Sequence, residues 1–249
     1  MTSGKVQHVI GILDRSGSMV GKRDDTVGGI NTMINELKLN ASNDDIIKIS
    51  LKLFDHEEII LWNCKPLNDV TELRVSDFIP RGSTALLDAL GNTLNYFMKR
   101  RAINPNDYDS CLIYLATDGL DNASKRYSKE QIKVLIREAK EKYNIDVIYL
   151  GANQNAILEA NNIGIHPDQA INYSETSDNT REVYRAVGRV ANSQRSLTPN
   201  ILFSTEERDA SISTDFENLS MTGTPSNNQP TILRPYRQCS TASRPTSRR

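Results

Sequence analysis

Short apolar runs alternate with amphipathic stretches along residues 1–197. Residues 8–14 and 110–117 form continuous apolar runs of strand length, which are typical of strands buried on both faces of a sheet. Residues 22–40 carry apolar side chains at helical spacing and predict an amphipathic helix. The same patterns predict further strands at 47–53, 58–62, 146–151 and 170–173, and further helices at 84–101, 128–143, 154–162 and 179–195.

The link between the strands at 47–53 and 58–62 is short, with Asp55, His56 and Glu57 at its centre. A link of this length permits a hairpin but not a parallel crossover, so we expect this pair to be antiparallel and to form one edge of the sheet. The alternation as a whole predicts a doubly wound, Rossmann-like α/β fold. Its sheet has six strands, is mostly parallel and is covered by helices on both faces.

The composition changes near Leu197. Residues 198–249 contain eight serines, eight threonines and five of the nine prolines, and their apolar residues come in isolated clusters without a sustained period. Such a segment cannot bury enough surface to offset the entropy cost of ordering it. We therefore expect a folded domain at 1–197. We expect an irregular tail at 198–249 that is disordered in isolation or ordered on a partner.

The charge balance and the cysteines exclude several classes of protein. There are 30 Lys and Arg against 31 Asp and Glu, which argues against a protein that coats nucleic acid or a membrane surface. No apolar run is long enough to span a bilayer, and the N-terminus leads into a strand without a signal segment. The three cysteines, Cys64, Cys111 and Cys239, suit neither a disulfide framework nor a zinc site. These features predict a reduced, intracellular, cytoplasmic protein.

Oxygen-bearing side chains follow two of the predicted strands and precede one helix. In doubly wound sheets, ligands bind beyond the carboxyl ends of the strands, where the chain direction switches across the sheet. The candidates at these ends are Asp14, Ser16, Ser18, Thr84 and Asp118. Neither His nor Cys joins them, so this set of hard oxygen ligands suits Mg²⁺ or Mn²⁺ rather than zinc or copper. Each residue alone could merely cap a loop or a helix, but the convergence of all five favours a metal site.

The pattern Asp14-x-Ser16-x-Ser18, followed by Thr84 and then by Asp118-Gly119, resembles the metal-ion-dependent adhesion site (MIDAS) of the von Willebrand factor A family. The order and the predicted elements match, and the resemblance covers about residues 5–195. Residues 149–155, with Glu159 and Ala160, are also similar to the fifth-strand region of stand-alone intracellular A-domain proteins of bacteria, phages and large viruses.

The resemblance implies a role for each candidate residue. Ser16 and Ser18 would bind the ion directly, Thr84 directly or through water, and Asp14 and Asp118 through waters or as anchors of the other ligands. It also implies that a protein partner presents an Asp or Glu to the ion, so that the site binds rather than catalyses. The leading hypothesis is therefore a metal-dependent protein-binding module. The alternative is a structural component of a large assembly, such as a virion, that attaches through the tail.

A metal-dependent phosphohydrolase is the less favoured rival. An aspartyl phosphotransferase of the haloacid dehalogenase type needs an acid two positions after Asp14, where this sequence has Ser16. A serine nucleophile needs a base, and we expect His8 inside the first strand, His56 at the hairpin turn and His166 in a loop. The glycines do not supply a dinucleotide-binding turn either. The sequence therefore predicts a protein that is not an enzyme.

Overall fold

A computed structural model describes residues 5–152, 155–196 and 199–212. The main elements in chain order are β1 (Val6–Asp14), α1 (Arg23–Asn40), β2 (Ile46–Phe54), β3 (Glu58–Pro66), α2 (Leu86–Ile103), β4 (Ser110–Thr117), α3 (Lys129–Tyr143), β5 (Ile145–Ala152), α4 (Ala156–Asn162), β6 (Ala170–Tyr173), α5 (Ser177–Gln194) and α6 (Thr205–Ile212). Short 3-10 helices cover Gly17–Lys22, Leu67–Asp69, Val75–Asp77 and Pro167–Gln169. None of the described helices is both long and apolar enough to cross a membrane.

The six strands form one sheet in the order β3-β2-β1-β4-β5-β6. All neighbouring strands pair in parallel except β2 and β3, which form the predicted antiparallel hairpin at one edge. The predicted doubly wound sheet with one antiparallel edge strand is therefore confirmed. The chain builds outward from β1 in one direction and from β4 in the other, so the switch point lies between the carboxyl ends of these two strands.

The core lies in two layers, one on each face of the sheet. Alternate residues of β1 enter different layers: Val9 and Leu13 pack with α1 and α5, whereas Ile10 and Ile12 pack with α2, α3 and α4. Gly11 faces the first layer, where a Cβ atom would lie 2.8 Å from Leu51 Cδ1 and closer still to the Tyr114 hydroxyl. The continuous apolar runs in the sequence thus follow from burial on both faces.

Helix α3 begins as its sequence predicts. The Ser128 hydroxyl accepts a hydrogen bond from the backbone N–H of Gln131 (3.3 Å), and the Gln131 side chain accepts one from the backbone N–H of Ser128 (2.8 Å). This reciprocal pair is the capping box expected from the Ser128-x-x-Gln131 spacing.

Residues 199–212 pack on the domain, although the sequence predicts an irregular tail from residue 198. Phe203 is buried in the first core layer, and Arg189 of α5 binds Glu207 of α6 at 2.8 and 2.6 Å. Residues 199–212 belong to the same compact unit as the domain, beyond the boundary expected at residue 197. Phe203, the partly buried Ile201 and hydrogen bonds from both backbone and side chains hold this segment, so it lacks the sustained apolar periodicity by which the other elements are predicted. Residues 213–249, the rest of the predicted tail, lie outside the described residues.

Candidate metal centre

Three loops meet beyond the carboxyl ends of β1 and β4. The first follows Asp14, the second leads into α2, and the third follows Thr117. Backbone hydrogen bonds join the first two loops: the N–H of Gly17 donates to the carbonyl of Gly82 at 3.2 Å. Gly82 has a φ of 70°, and a Cβ atom there would lie 2.8 Å from His56 Cε1 and closer still to Nδ1. This left-handed turn therefore requires glycine.

Asn122 joins the second loop to the third. Its side-chain oxygen accepts a hydrogen bond from the backbone N–H of Thr84 (2.9 Å), and its own N–H donates to the carbonyl of Thr84 (2.9 Å). Backbone hydrogen bonds and one amide side chain thus hold the three loops together.

Asp14 lies at the base of the site and is fully buried. One carboxylate oxygen accepts a hydrogen bond from the backbone N–H of Ser16 (2.7 Å), and the other accepts one from the hydroxyl of Thr117 (2.6 Å). Burial raises the pKa of Asp14 and outweighs these hydrogen bonds, which lower it. Asp14 therefore connects the end of β1 to the end of β4 and shapes the loop that carries the two serines.

Ser16, Ser18 and Asp118 form a continuous chain of polar groups. The hydroxyls of Ser16 and Ser18 share a hydrogen bond of 3.1 Å, and the Ser18 hydroxyl donates to Asp118 at 2.7 Å. Ser16 and the Asp118 side chain are buried, whereas Ser18 is exposed. The structure thus brings four of the five candidate residues, Asp14 included, into one hydrogen-bonded group that opens to solvent at Ser18.

Thr84 lies beside the turn that follows Asp118. A Cβ atom built on Gly119 would lie 3.9 Å from the Thr84 hydroxyl oxygen, and Thr84 itself is buried. It precedes the first residue of α2, Leu86, instead of starting the helix as the sequence suggests. Asp14 thus ends β1, and the other four candidate residues belong to the three joined loops.

Lys22 and Glu175 also reach this site, although neither is among the five residues predicted from the sequence. The Lys22 ammonium forms ion pairs with the carboxylates of Asp118 and Glu175. Burial by itself lowers the pKa of Lys22, but the hydrogen bonds and charges of these two carboxylates raise it overall. The position of Lys22 at the end of the 3-10 helix Gly17–Lys22 is a weak signal for its role. Glu175 has no sequence signal, because it follows β6, far along the chain.

A second group of charges lies next to these loops. Arg15 forms a buried ion pair with Asp55 at 3.1 Å, and Arg81 contacts the same carboxylate oxygen at 3.1 Å. Asp55, His56 and Glu57 could together offer ligand atoms to a metal ion. Because two guanidinium groups already neutralise Asp55, we interpret this cluster as an ion-pair network that holds the β2–β3 turn against the site.

The three histidines contact groups other than the candidate serines. His8 lies in β1 with Nδ1 3.9 Å from Cys64 Sγ, His56 lies 3.4 Å from Asp55, and His166 accepts a hydrogen bond from the backbone N–H of Asp168 at 3.2 Å. These positions agree with the places expected from the sequence. They leave no described histidine in contact with Ser16 or Ser18 as a general base.

The side chains fit a hard divalent cation. The side chains of the five candidates offer only oxygen atoms, and two of them are carboxylates that would balance the charge of such an ion. Neighbouring ligands of an octahedral ion bound at about 2.1 Å lie about 3 Å apart. The hydroxyl oxygens of Ser16 and Ser18 are 3.1 Å apart, and Ser18 Oγ is 2.7 Å from Asp118 Oδ1. Only small adjustments would therefore place these three oxygens around one ion.

Proteins of known structure share this arrangement of strands and helices. One is the proximal thread matrix protein 1 from the mussel byssus, whose structure with a zinc-occupied MIDAS motif matches with a TM-score of 0.53 and 18% identity over 76% of this chain and 46% of that chain. Another is a von Willebrand factor type A protein from Catenulispora acidiphila (TM-score 0.53, 14% identity, 77% of this chain and 43% of that chain). A third is the vWF domain of the type V pili tip protein Mfa5 from Porphyromonas gingivalis (TM-score 0.53, 12% identity, 77% of this chain and 96% of that domain).

This chain has the fold of a von Willebrand factor A domain. At these identities the likeness establishes the fold alone, and the chain spans less than half of the mussel and Catenulispora proteins. No protein-family model and no curated protein sequence matches it. In the A-domain fold of this chain, the candidate metal ligands occupy the switch point between β1 and β4.

Proposed function

We propose that Asp14, Ser16, Ser18, Thr84 and Asp118 bind a divalent cation, Mg²⁺ or Mn²⁺, and that the bound ion docks an acidic side chain of a protein partner. The observation that carries this proposal is the hydrogen-bonded group of Asp14, Ser16, Ser18 and Asp118 at the switch point of an A-domain fold. The zinc-occupied MIDAS motif of the mussel protein adds support, since that protein shares the fold.

The residues of the site divide the work between them. Asp14 uses both carboxylate oxygens to hold the backbone of Ser16 and the hydroxyl of Thr117, so it positions the first loop. Ser16 and Ser18 present their hydroxyls as ligands, and Asp118 offers a carboxylate beside them. A bound ion supplies a coordination position that the carboxylate of a partner can fill. Ser18 is exposed, so this position faces solvent, where a partner can reach it.

Calorimetric titration with Mg²⁺, Mn²⁺ and Zn²⁺ tests the metal site. We expect saturable binding to the wild-type protein. The Ser16→Ala/Ser18→Ala variant should lose at least about 100-fold in metal affinity, because mutations of residues that only support the ligands already lower metal affinity by about 10–100-fold. The matched control is Ser42→Ala/Ser196→Ala, which removes two exposed hydroxyls elsewhere and should bind like wild type. The absence of saturable binding to the wild-type protein, with or without glutamate, would refute the proposal.

The same titrations, repeated with excess glutamate, test the docking of an acidic side chain. A carboxylate that completes the coordination of the ion should tighten metal binding, and metal should tighten glutamate binding by the same factor. Glutamine is the matched control, because it has the same length without the charge. An identical metal affinity in glutamate and in glutamine would argue against docking through a carboxylate.

Two other functions predict different results. A phosphohydrolase would turn over a phosphate ester in the presence of Mg²⁺, and Asp14→Ala would abolish the activity. An assembly component that attaches through residues 198–249 would bind its partner equally well with EDTA present. The site geometry favours the metal-dependent binding module, because no described histidine contacts the candidate serines.

A further inference from the structure

The chain supplies a cation of its own to the candidate metal centre. Lys22 lies at the end of the short helix that begins directly after Ser16, and its ammonium lies between the carboxylates of Asp118 and Glu175. The side chain of Asp118 is 1% exposed, that of Lys22 21% and that of Glu175 25%. The three charged groups are therefore largely shielded from water. In such surroundings ion pairs are strong and an unpaired charge is costly.

Both oxygens of the Asp118 carboxylate have partners. Oδ1 accepts the hydrogen bond from Ser18, and Oδ2 binds Lys22. A divalent ion bound next to Asp118 would thus meet an ammonium group on the same carboxylate. Two cations that share one carboxylate repel each other, and the repulsion is strong where little water screens it. Metal binding must therefore displace Lys22 or proceed against its charge.

Glu175 offers the ammonium a second partner. It lies between β6 and α5 and contacts Lys22 through a carboxylate that is not among the candidate ligands. When Lys22 leaves Asp118, Glu175 can keep it neutralised within the fold. Glu175 thus lowers the cost of releasing Asp118 to a metal ion.

We propose that Lys22 is a tethered counter-ion of Asp118 that competes with the divalent cation and sets the metal affinity of the site. This inference rests on the metal site described under the proposed function. A neighbouring cation changes the proton affinity of a carboxylate by about 10- to 1,000-fold. On the same scale, Lys22→Met, which keeps most of the aliphatic stem, should tighten Mg²⁺ binding by roughly tenfold or more. Glu175→Gln should weaken it, because Lys22 then has only Asp118.

The double variant Lys22→Met/Glu175→Gln separates competition at Asp118 from a general effect of charge. It removes one positive and one negative charge, so the net charge of the region is unchanged. A long-range field would leave the metal affinity at the wild-type value, whereas competition at Asp118 predicts that the double variant still binds more tightly than wild type. Lys38→Met is the control for a remote charge, since Lys38 lies on α1 about 22 Å further along the helix axis.

Each protein is titrated with Mg²⁺ by calorimetry, and the rise in melting temperature with Mg²⁺ is measured in parallel. We expect the order of affinity to be Lys22→Met, then the double variant, then wild type together with Lys38→Met, then Glu175→Gln. Wild-type affinity in the double variant would overturn the inference whether or not Lys22→Met binds more tightly, and it would leave the metal site intact, provided that Ser16→Ala/Ser18→Ala still loses binding. If wild type binds no metal, with or without glutamate, the metal site itself is refuted and this inference falls with it.

Discussion

Two adjacent glycines of α1 face very different surroundings, and their replacement by alanine tests the packing of α1 on α5. A Cβ atom on Gly28 would meet no other atom within 4 Å. A Cβ atom on Gly29 would lie 3.0 Å from Cε2 and 3.1 Å from Cγ of Tyr184, and closer still to Cδ2. Tyr184 cannot easily move away, because it is fully buried and its ring meets the ring of Tyr114 edge to face at 6.1 Å.

The magnitudes follow from helix propensity and overpacking. Each Gly→Ala change within the helix gains about 1 kcal/mol from helix propensity. Gly28→Ala should keep that gain, which raises the melting temperature by about 2–4 °C in a domain of this size. Gly29→Ala has the same gain but incurs an overpacking cost of about 1–3 kcal/mol. The two variants should therefore differ by about 1–3 kcal/mol, or roughly 2–12 °C in melting temperature.

Urea denaturation and thermal unfolding, followed by circular dichroism, measure both variants against wild type. Comparing two neighbouring positions cancels helix propensity, so the difference reports the contact with Tyr184. If Gly29→Ala proves as stable as Gly28→Ala, then α1 and α5 do not approach as closely as described, and the packing argument is refuted.

Three further predictions concern the site and the core. Thr117→Val removes the hydroxyl that donates to Asp14 at 2.6 Å. It should lower the free energy of unfolding, measured by denaturation, by about 1–3 kcal/mol, and it should weaken Mg²⁺ binding, measured by calorimetry. Burial lowers the pKa of His8 from 6.5 to about 4, so the neutral ring's contribution to stability is present above pH 6.5 and is lost as the pH falls toward 4. Between pH 7 and pH 4.5, the free energy of unfolding measured by denaturation should therefore fall by about 2–3 kcal/mol more in wild type than in His8→Gln. Gly82→Ala forces a side chain into a left-handed turn and should destabilise the protein by at least about 1 kcal/mol in thermal unfolding, whereas Gly21→Ala, with nothing within 4 Å, should not.

The sequence predicts the sheet well because its strands and turns leave local signals. Residues 110–117 form an unbroken apolar run because β4 is buried on both faces, and the short link around His56 permits only a hairpin. The carboxyl ends of parallel strands lie at one edge of a sheet, so the sequence alone predicts that Asp14 and Asp118 lie close together, and the observed strand order makes β1 and β4 neighbours.

Contacts that depend on three-dimensional placement leave no such signal. Helix α6 is held by hydrogen bonds of polar side chains and of the backbone, and the one buried ring of its segment, Phe203, precedes the helix, so this segment has the composition of a tail. The ion pair of Lys22 with Glu175 joins the first loop to the loop after β6, and its formation depends on where the whole sheet places β6. Sequence patterns describe which face a residue occupies, whereas these contacts depend on the distance between elements far apart in the chain.

Helix α6 also covers one edge of the sheet. β6 lies at the edge of the sheet, and α6 covers the groups that face outward: Arg208 donates to the carbonyl of Ala170 (2.7 Å) and the Ser211 hydroxyl donates to that of Asn172 (2.7 Å). An uncovered edge strand is a template to which a strand of another molecule can add, and this is a common route to aggregation. A chain cut after residue 197 would lose this cover. We therefore expect helix α6 to keep the sheet from recruiting a seventh strand from a neighbouring molecule at this edge.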